Sequence, residues 1–198
     1  MLEAGKDFDF FNPHADLKVG HANLPHWQQA RVLYFTTFRL SDSIPQNKLK
    51  LWQSDYNQWL FRNPKPWNDE QVEEYQEHFA RKIEHWLDQN HGKCLLRKKQ
   101  CRQIVEDCLL KFNNTRYRLD TFTIAANHVH ALVATSADTT LSEILKSWKG
   151  VSARNINKAL GKKGTIWQKE TYDHIVRSPE ALIKIRKYIH AHEANRLT

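Results

Sequence analysis

Two strand-forming runs joined by only two residues constrain this chain more than any other feature. Residues 116–125 (RYRLDTFTIA) and 128–135 (HVHALVAT) are rich in β-branched and aromatic types, which suit a pleated, half-buried surface. Ala126-Asn127 is the whole connection, and so short a join predicts a hairpin and therefore an antiparallel sheet. Another strand is expected over 32–40 (VLYFTTFRL), stopped by Ser-Asp-Ser, and a last short one over 172–177.

Helical patterns fill the intervals. They fall at 46–61, 69–87 with Asn68 as N-cap, 98–112, 141–160 and 179–195, the last opened by Ser178 as N-cap and Pro179 in the first turn. Strand, helices, paired strands, helix, strand, helix is the order of an α+β fold. A ferredoxin/RRM-like antiparallel sheet with helices on one face follows, the C-terminal helix last. The 198 residues fit a single domain. Within it, 1–30 read as an irregular arm anchored by Phe8, Phe10 and Phe11, and 46–90 as a helical insertion after the first strand. Cys94, Cys101 and Cys108 are spaced by seven, which suits one side of a helix and matches no zinc pattern.

The location of charge narrows the partner. From residue 141 onward there are 12 Lys/Arg against 5 Asp/Glu, whereas the preceding residues carry 18 against 17. Concentrated positive charge is the footprint of a phosphate-binding face, although a solvated surface would also carry it. No apolar run is long enough to span a bilayer, and the first residues lack a secretory apolar core. No membrane role is expected, and a cytoplasmic, nucleoid-associated location is. The phosphate loop G-x-x-x-x-G-K-[ST] is missing, so no nucleotide cofactor is expected.

His128-Val129-His130 is the first chemical signal. Side chains alternate along a strand, so the two imidazoles face one way and Val129 the other. A pair so placed can share a divalent cation, but it is also compatible with two histidines merely lining a sheet face. On the last helix Tyr188 and His192 are four apart and share a face with Lys184, while His190 points elsewhere. If that face packs over His128 and His130, a third imidazole and a phenol converge on one point. From the helix alone, Tyr188 could equally be a buried ring.

At this point the chain resembles the REP-associated tyrosine transposases of the HUH single-tyrosine transposase superfamily. The resemblance is carried by NHVHALV at 127–133, LSEILKSWK at 141–149, IWQ at 166–168, YDHIVRS at 172–178 and Tyr188-Ile189. It extends to LPHW at 24–27 and YFTTFRL at 34–40. It implies that His128 and His130 bind Mg²⁺ or Mn²⁺ and that Tyr188 is the nucleophile. The family usually has Asn and Pro four and five residues after that tyrosine; here stand His192 and Glu193. His192 is read as a replacement third metal ligand, and imidazole suits Mn²⁺ better than Mg²⁺. Ala126 replaces a usual Pro at the hairpin.

The resemblance implies nicking and rejoining of hairpin-bearing single-stranded DNA through a 5′-phosphotyrosyl link, by a monomer or a homodimer. Lys146, Lys149, Arg154, Lys158, Lys162, Lys163, Gln168, Lys169, Arg177 and Lys184 are the expected DNA contacts. Trp167 is a candidate platform for a base, whereas Trp148 has core spacing and His174 reads first as structural. Two other classes stay open. A domesticated, inactive hairpin-binding protein would bind DNA without forming an adduct, and a metal hydrolase using water would retain cleavage with Tyr188→Phe.

Overall fold

The computed structural model describes residues 8–12, 14, 18–21, 25–64 and 67–194. A two-stranded ribbon, β1 (Lys18–His21) and β2 (Pro25–Gln28), pairs Val19 with Trp27 in antiparallel register. It lies in the stretch expected to be irregular; four-residue strands are too short to announce themselves by alternation. Phe8 and Phe10 pack beside the sheet, and Asp9 bridges Val32. Leu24 and residues 1–7 lie outside the described set, as does the side chain of Trp27.

β3 (Leu33–Arg39) leads into α1 (Gln46–Arg62) and α2 (Asp69–Tyr75). A π-helical turn over Gln76–Ala80 then passes directly into α3 (Arg81–Asp88). After a short 3-10 turn come α4 (Lys99–Leu110), β4 (Tyr117–Ile124), β5 (His128–Thr135), α5 (Leu141–Ala159), β6 (Tyr172–Ile175) and α6 (Pro179–Ala194). Cys101 and Cys108 are buried on α4, but Cys94 sits before it with a left-handed backbone.

The main sheet runs β4-β5-β3-β6, antiparallel throughout. That order, with crossovers at α4 and α5, is the ferredoxin-like plan. Helices were expected on one face, but both are covered. Tyr34, Phe38, Val129, Ala131 and Val133 pack with α4 and α5, including Trp148. Leu33, Phe35, Leu132 and Ala134 pack with Leu182 and Ile189 of α6. The reason is visible in β5, buried at every position from His128 to Thr135: a strand apolar at both parities needs cover on both sides.

The segment α1–α3 gathers Trp52, Tyr56, Trp59, Tyr75, Phe79 and Trp86 into an aromatic cluster that meets Tyr172 of β6. Trp148 is core as expected; its indole N–H donates to Tyr117 at 2.8 Å, and Tyr117 donates to the Leu109 carbonyl. Caps fix the helix starts. Asn68 with Gln71 and Thr140 with Glu143 form capping boxes, and Ser178 Oγ accepts from the Ala181 N–H.

Two local features aim the site. The β4–β5 register shifts between Leu119 and Thr121, and such a bulge re-aims the extra residue. Asp120 thereby reaches α6, where Arg186 donates to both of its oxygens at 2.8 and 2.5 Å. At Gly92 (φ +84°) any Cβ would lie 2.3 Å from the Asp42 carbonyl oxygen. Glycine lets this turn approach closely, and the His91 carbonyl then accepts from Asn127 Nδ2 at 3.1 Å.

Candidate active site

That last bond settles the orientation of Asn127, whose Oδ1 stands 2.8 Å from His128 Nδ1. With Nδ1 donating, His128 presents the Nε2 lone pair, and Nε2 is buried without any hydrogen-bond partner. Opposite His130 on β3 lies Thr37, whose Oγ1 is 2.7 Å from His130 Nδ1. With Nδ1 protonated, the same logic frees His130 Nε2. Partners on the second nitrogen commonly fix the tautomer of a metal-binding imidazole in this way.

α6 brings the rest. Leu182 and Ile189 are fully buried against the sheet, which turns Tyr188 and His192 toward the histidine pair. Tyr188 Oη lies 3.4 Å from His130 Nε2. The ring centroids of Tyr188 and His192 are 4.5 Å apart, and those of His130 and His192 are 5.2 Å apart. One ligand atom from each of His128, His130 and His192 falls within a 4.8 Å spread. A buried orphan nitrogen among three converging imidazoles fits a divalent cation. His190 is exposed on another side of α6, as its spacing requires.

Electrostatics agree with that use. Burial, reinforced by His192, holds His128 down at about 3. His130 is held well below its ordinary value by burial, with His128 and His192 adding. Both imidazoles therefore stay neutral and able to coordinate near neutral pH. The Tyr188 phenol is pushed up by burial first, then by the carboxylates of Glu84 and Asp88 and by Tyr172. Without added positive charge it remains a phenol.

Glu84 and Asp88 were not anticipated from the sequence. They sit four apart on α3, on one helical face, and that face looks into the site. Asp88 Oδ1 is 3.7 Å from His192 Nδ1, while burial with Asp88 beside it pushes the Glu84 carboxyl up to about 7. Nothing in the acidic stretch 69–88 marks these two as different. Only the docking of α3 on the sheet does so.

The expected DNA contacts separate into groups. Lys146, Lys149, Gln168 and Lys169 line a groove of about 710 Å³ between α5 and the 164–171 segment. Lys149 is partly committed there. Its ammonium donates to the Lys169 carbonyl at 2.8 Å and to Thr171 Oγ1 at 3.0 Å, and burial lowers its pKa to about 8. Arg154, Lys158, Lys162 and Lys163 are exposed along the end of α5 and its exit loop. Arg177 is exposed and lies over the Phe11 ring; Lys184 is exposed on α6.

Trp167 requires a correction. It is 5% exposed, its edge meets Phe38, and its indole N–H donates to Ser152 Oγ at 2.9 Å. A ring sealed in the core cannot stack on a base. His174 is structural in that its ring packs against Phe35 and Tyr172, but its Nδ1 has no partner, and burial lowers its pKa to about 4.

Residues 67–192 match the family described as IS200-like transposases. No curated protein matches the chain. Among solved structures, a REP-associated tyrosine transposase bound to a REP hairpin superposes with a TM-score of 0.52 at 14% identity, covering 88% of this chain and 74% of that one. A transposase from Deinococcus radiodurans aligns at 15% identity over 88% of this chain and 97% of its own, with a TM-score of 0.35. Among the described residues, no helix is long and apolar enough to cross a membrane.

Proposed function

The chain belongs to the IS200-like transposase family, and from that premise we propose that it nicks and rejoins single-stranded, hairpin-bearing DNA with Tyr188 as nucleophile. The observation that carries this reading is the convergence of the Tyr188 hydroxyl and three imidazoles on one point. The relative that superposes on it was captured on a REP hairpin, which makes a hairpin the first substrate to try. The whole chain would act as one domain, with α1–α3 as an insertion that contributes to the site.

His128, His130 and His192 would hold Mg²⁺ or Mn²⁺, and the all-imidazole set favours Mn²⁺. When bound, the cation supplies charge to polarise the scissile phosphate and to offset the negative charge of the transition state. Tyr188 Oη loses its proton and forms a bond to phosphorus. The bond from phosphorus to the 3′ oxygen breaks, and that oxygen takes up a proton. The products are a 5′-phosphotyrosine and a free 3′-hydroxyl. Because the link keeps the energy of the phosphodiester, another 3′-hydroxyl can reverse the step and join two strands without ATP. The groove lined by Lys146 and Lys169 would hold the backbone of the strand or its hairpin.

The test is a denaturing gel for covalent protein–DNA adducts. Hairpin oligonucleotides from the DNA flanking the gene would be incubated with wild type, Tyr188→Phe and His192→Ala, each with Mn²⁺, Mg²⁺ or EDTA. An adduct that requires both metal and Tyr188 is expected. Cleavage that survives Tyr188→Phe would point to a water nucleophile. Tight binding with no adduct under any metal would leave a hairpin-binding protein.

A further inference from the structure

A cavity of about 290 Å³ lies between the α1–α3 segment and the β3/β6 side of the sheet. It is smaller than the ~300–1,000 Å³ typical of pockets for drug-sized ligands, so it suits a group the size of one heterocyclic base. Its walls are mixed in a telling way: Trp52, Tyr75 and Tyr172 supply aromatic surface, while Arg39, Glu84 and Gln168 supply polar edges.

The cavity abuts the histidine site. Thr37, part of its lining, is hydrogen-bond distance from His130 Nδ1. Tyr172, also in the lining, pairs with Thr37 across the β3–β6 ladder. Glu84 lines the cavity as well, and its charge bears on both the Tyr172 and Tyr188 phenols, raising each. No hydrogen bond or ion pair among the described residues engages the Glu84 carboxyl. A half-buried acid without a partner, at the edge of an aromatic-walled space, is an acceptor awaiting a donor.

We propose that this cavity receives a single unstacked nucleobase from the nucleotide whose phosphate lies at the histidine site, with Glu84 reading an exocyclic amine on that base. The inference rests on the DNA-nicking reading above and adds a base-selective pocket to it. A flipped base is commonly held by stacking between aromatic side chains and by hydrogen bonds to its edge. Above about pH 7, where Glu84 is ionised, cytosine, adenine and guanine offer its carboxylate an exocyclic amine, whereas thymine has none and offers only its ring N3–H. Arg39 and Gln168 offer donors for ring nitrogens and carbonyls on the same base. The pocket therefore accepts three bases and disfavours thymine.

The experiment needs no cognate DNA. The full chain with Mg²⁺ is mixed with each of the four 5′-deoxynucleoside monophosphates, and saturation-transfer NMR reports which base protons touch protein. Dissociation constants come from titration. Base-proton saturation is expected for dCMP, dAMP and dGMP, with dTMP about 10-fold weaker or more. Ile83→Trp fills the cavity and should abolish the base signals; a thermal melt checks that it folds. Glu84→Gln, nearly isosteric, should bring dTMP level with the others. Absence of base saturation in wild type, or signals unchanged in both variants, overturns the proposal. A wild type that forms DNA adducts but shows no base contact sinks the pocket alone. Base contact without adducts keeps the pocket and sinks the nicking reading.

Discussion

Asp88 Oδ1 stands 3.7 Å from His192 Nδ1, so the third imidazole of the site on α6 faces a carboxylate from α3. A carboxylate behind a ligating histidine fixes ring orientation and raises its basicity. Asp88→Ala should weaken Mn²⁺ binding by about 10- to 100-fold in calorimetric titration, with the melt of the metal-free protein little changed. Unaltered affinity would show that His192 is oriented without α3.

Acid should destabilise the metal-free protein. His128, His130 and His174 all have folded pKa values below the ordinary imidazole value, because burial disfavours the charged ring. Below about pH 6.5 the unfolded chain takes up these protons while the folded one resists. Stability is thus full above that pH and falls as pH drops toward the folded values. Glu84 works in the opposite sense, since burial pushes its carboxyl up to about 7 and its stabilisation is lost as pH rises through that value. Asp88, also raised by burial, acts with Glu84, but three imidazoles outweigh the two carboxyls, so melting temperature should drop from pH 7 to pH 5. Glu84→Gln should steepen the drop.

Trp167 should matter for folding and not for DNA. Trp167→Phe removes the indole N–H that reaches Ser152 and should cost about 1–3 kcal/mol in denaturant melts, the range for a buried polar group losing its partner. Affinity for a hairpin oligonucleotide should be unchanged once folded protein is compared. A selective loss of affinity would restore a stacking role.

The groove lysines are read best through salt. For single strands, log affinity falls with log salt by about 0.7 per neutralised phosphate. Lys146→Ala and Lys169→Ala should each flatten that slope by about one such increment. Lys149→Ala should also lower stability, because its ammonium ties α5 to the 169–171 strand approach. Equal slopes in all variants would move the DNA off this groove.

Asp120→Asn tests the hold on α6, which carries the proposed nucleophile. It weakens the two-bond pairing with Arg186, worth about 1.5–3 kcal/mol for hydrogen bonds to charged groups. Adduct formation should fall more than DNA affinity does, since the phosphate contacts proposed on α5 would be untouched.

Much of this was legible in the chain because local rules were obeyed. The hairpin around Ala126-Asn127 and the apolar periodicity of α5 gave the sheet and its crossover, and spacing by two and by four brought out His128 with His130 and Tyr188 with His192. What escaped shared a cause: it depended on which surfaces dock. The π turn before α3, the bulge at Asp120 and the approach of Asp88 to His192 arise from tertiary packing, which a period cannot report. Trp167 looked like a platform because it lies between basic residues. Its neighbours Ile166 and Thr165 carry no periodic signal, so burial against Phe38 was invisible.

The bulge at Asp120 has a consequence for how strands could be exchanged. It ties α6 sideways to β4 through Arg186, and with Tyr188 as the proposed nucleophile that tether would resist a swinging arm. A DNA end esterified to Tyr188 would stay parked where it was cut. Any traffic during joining would then belong to the nucleic acid: the departing strand must diffuse away and its replacement thread into a stationary vice.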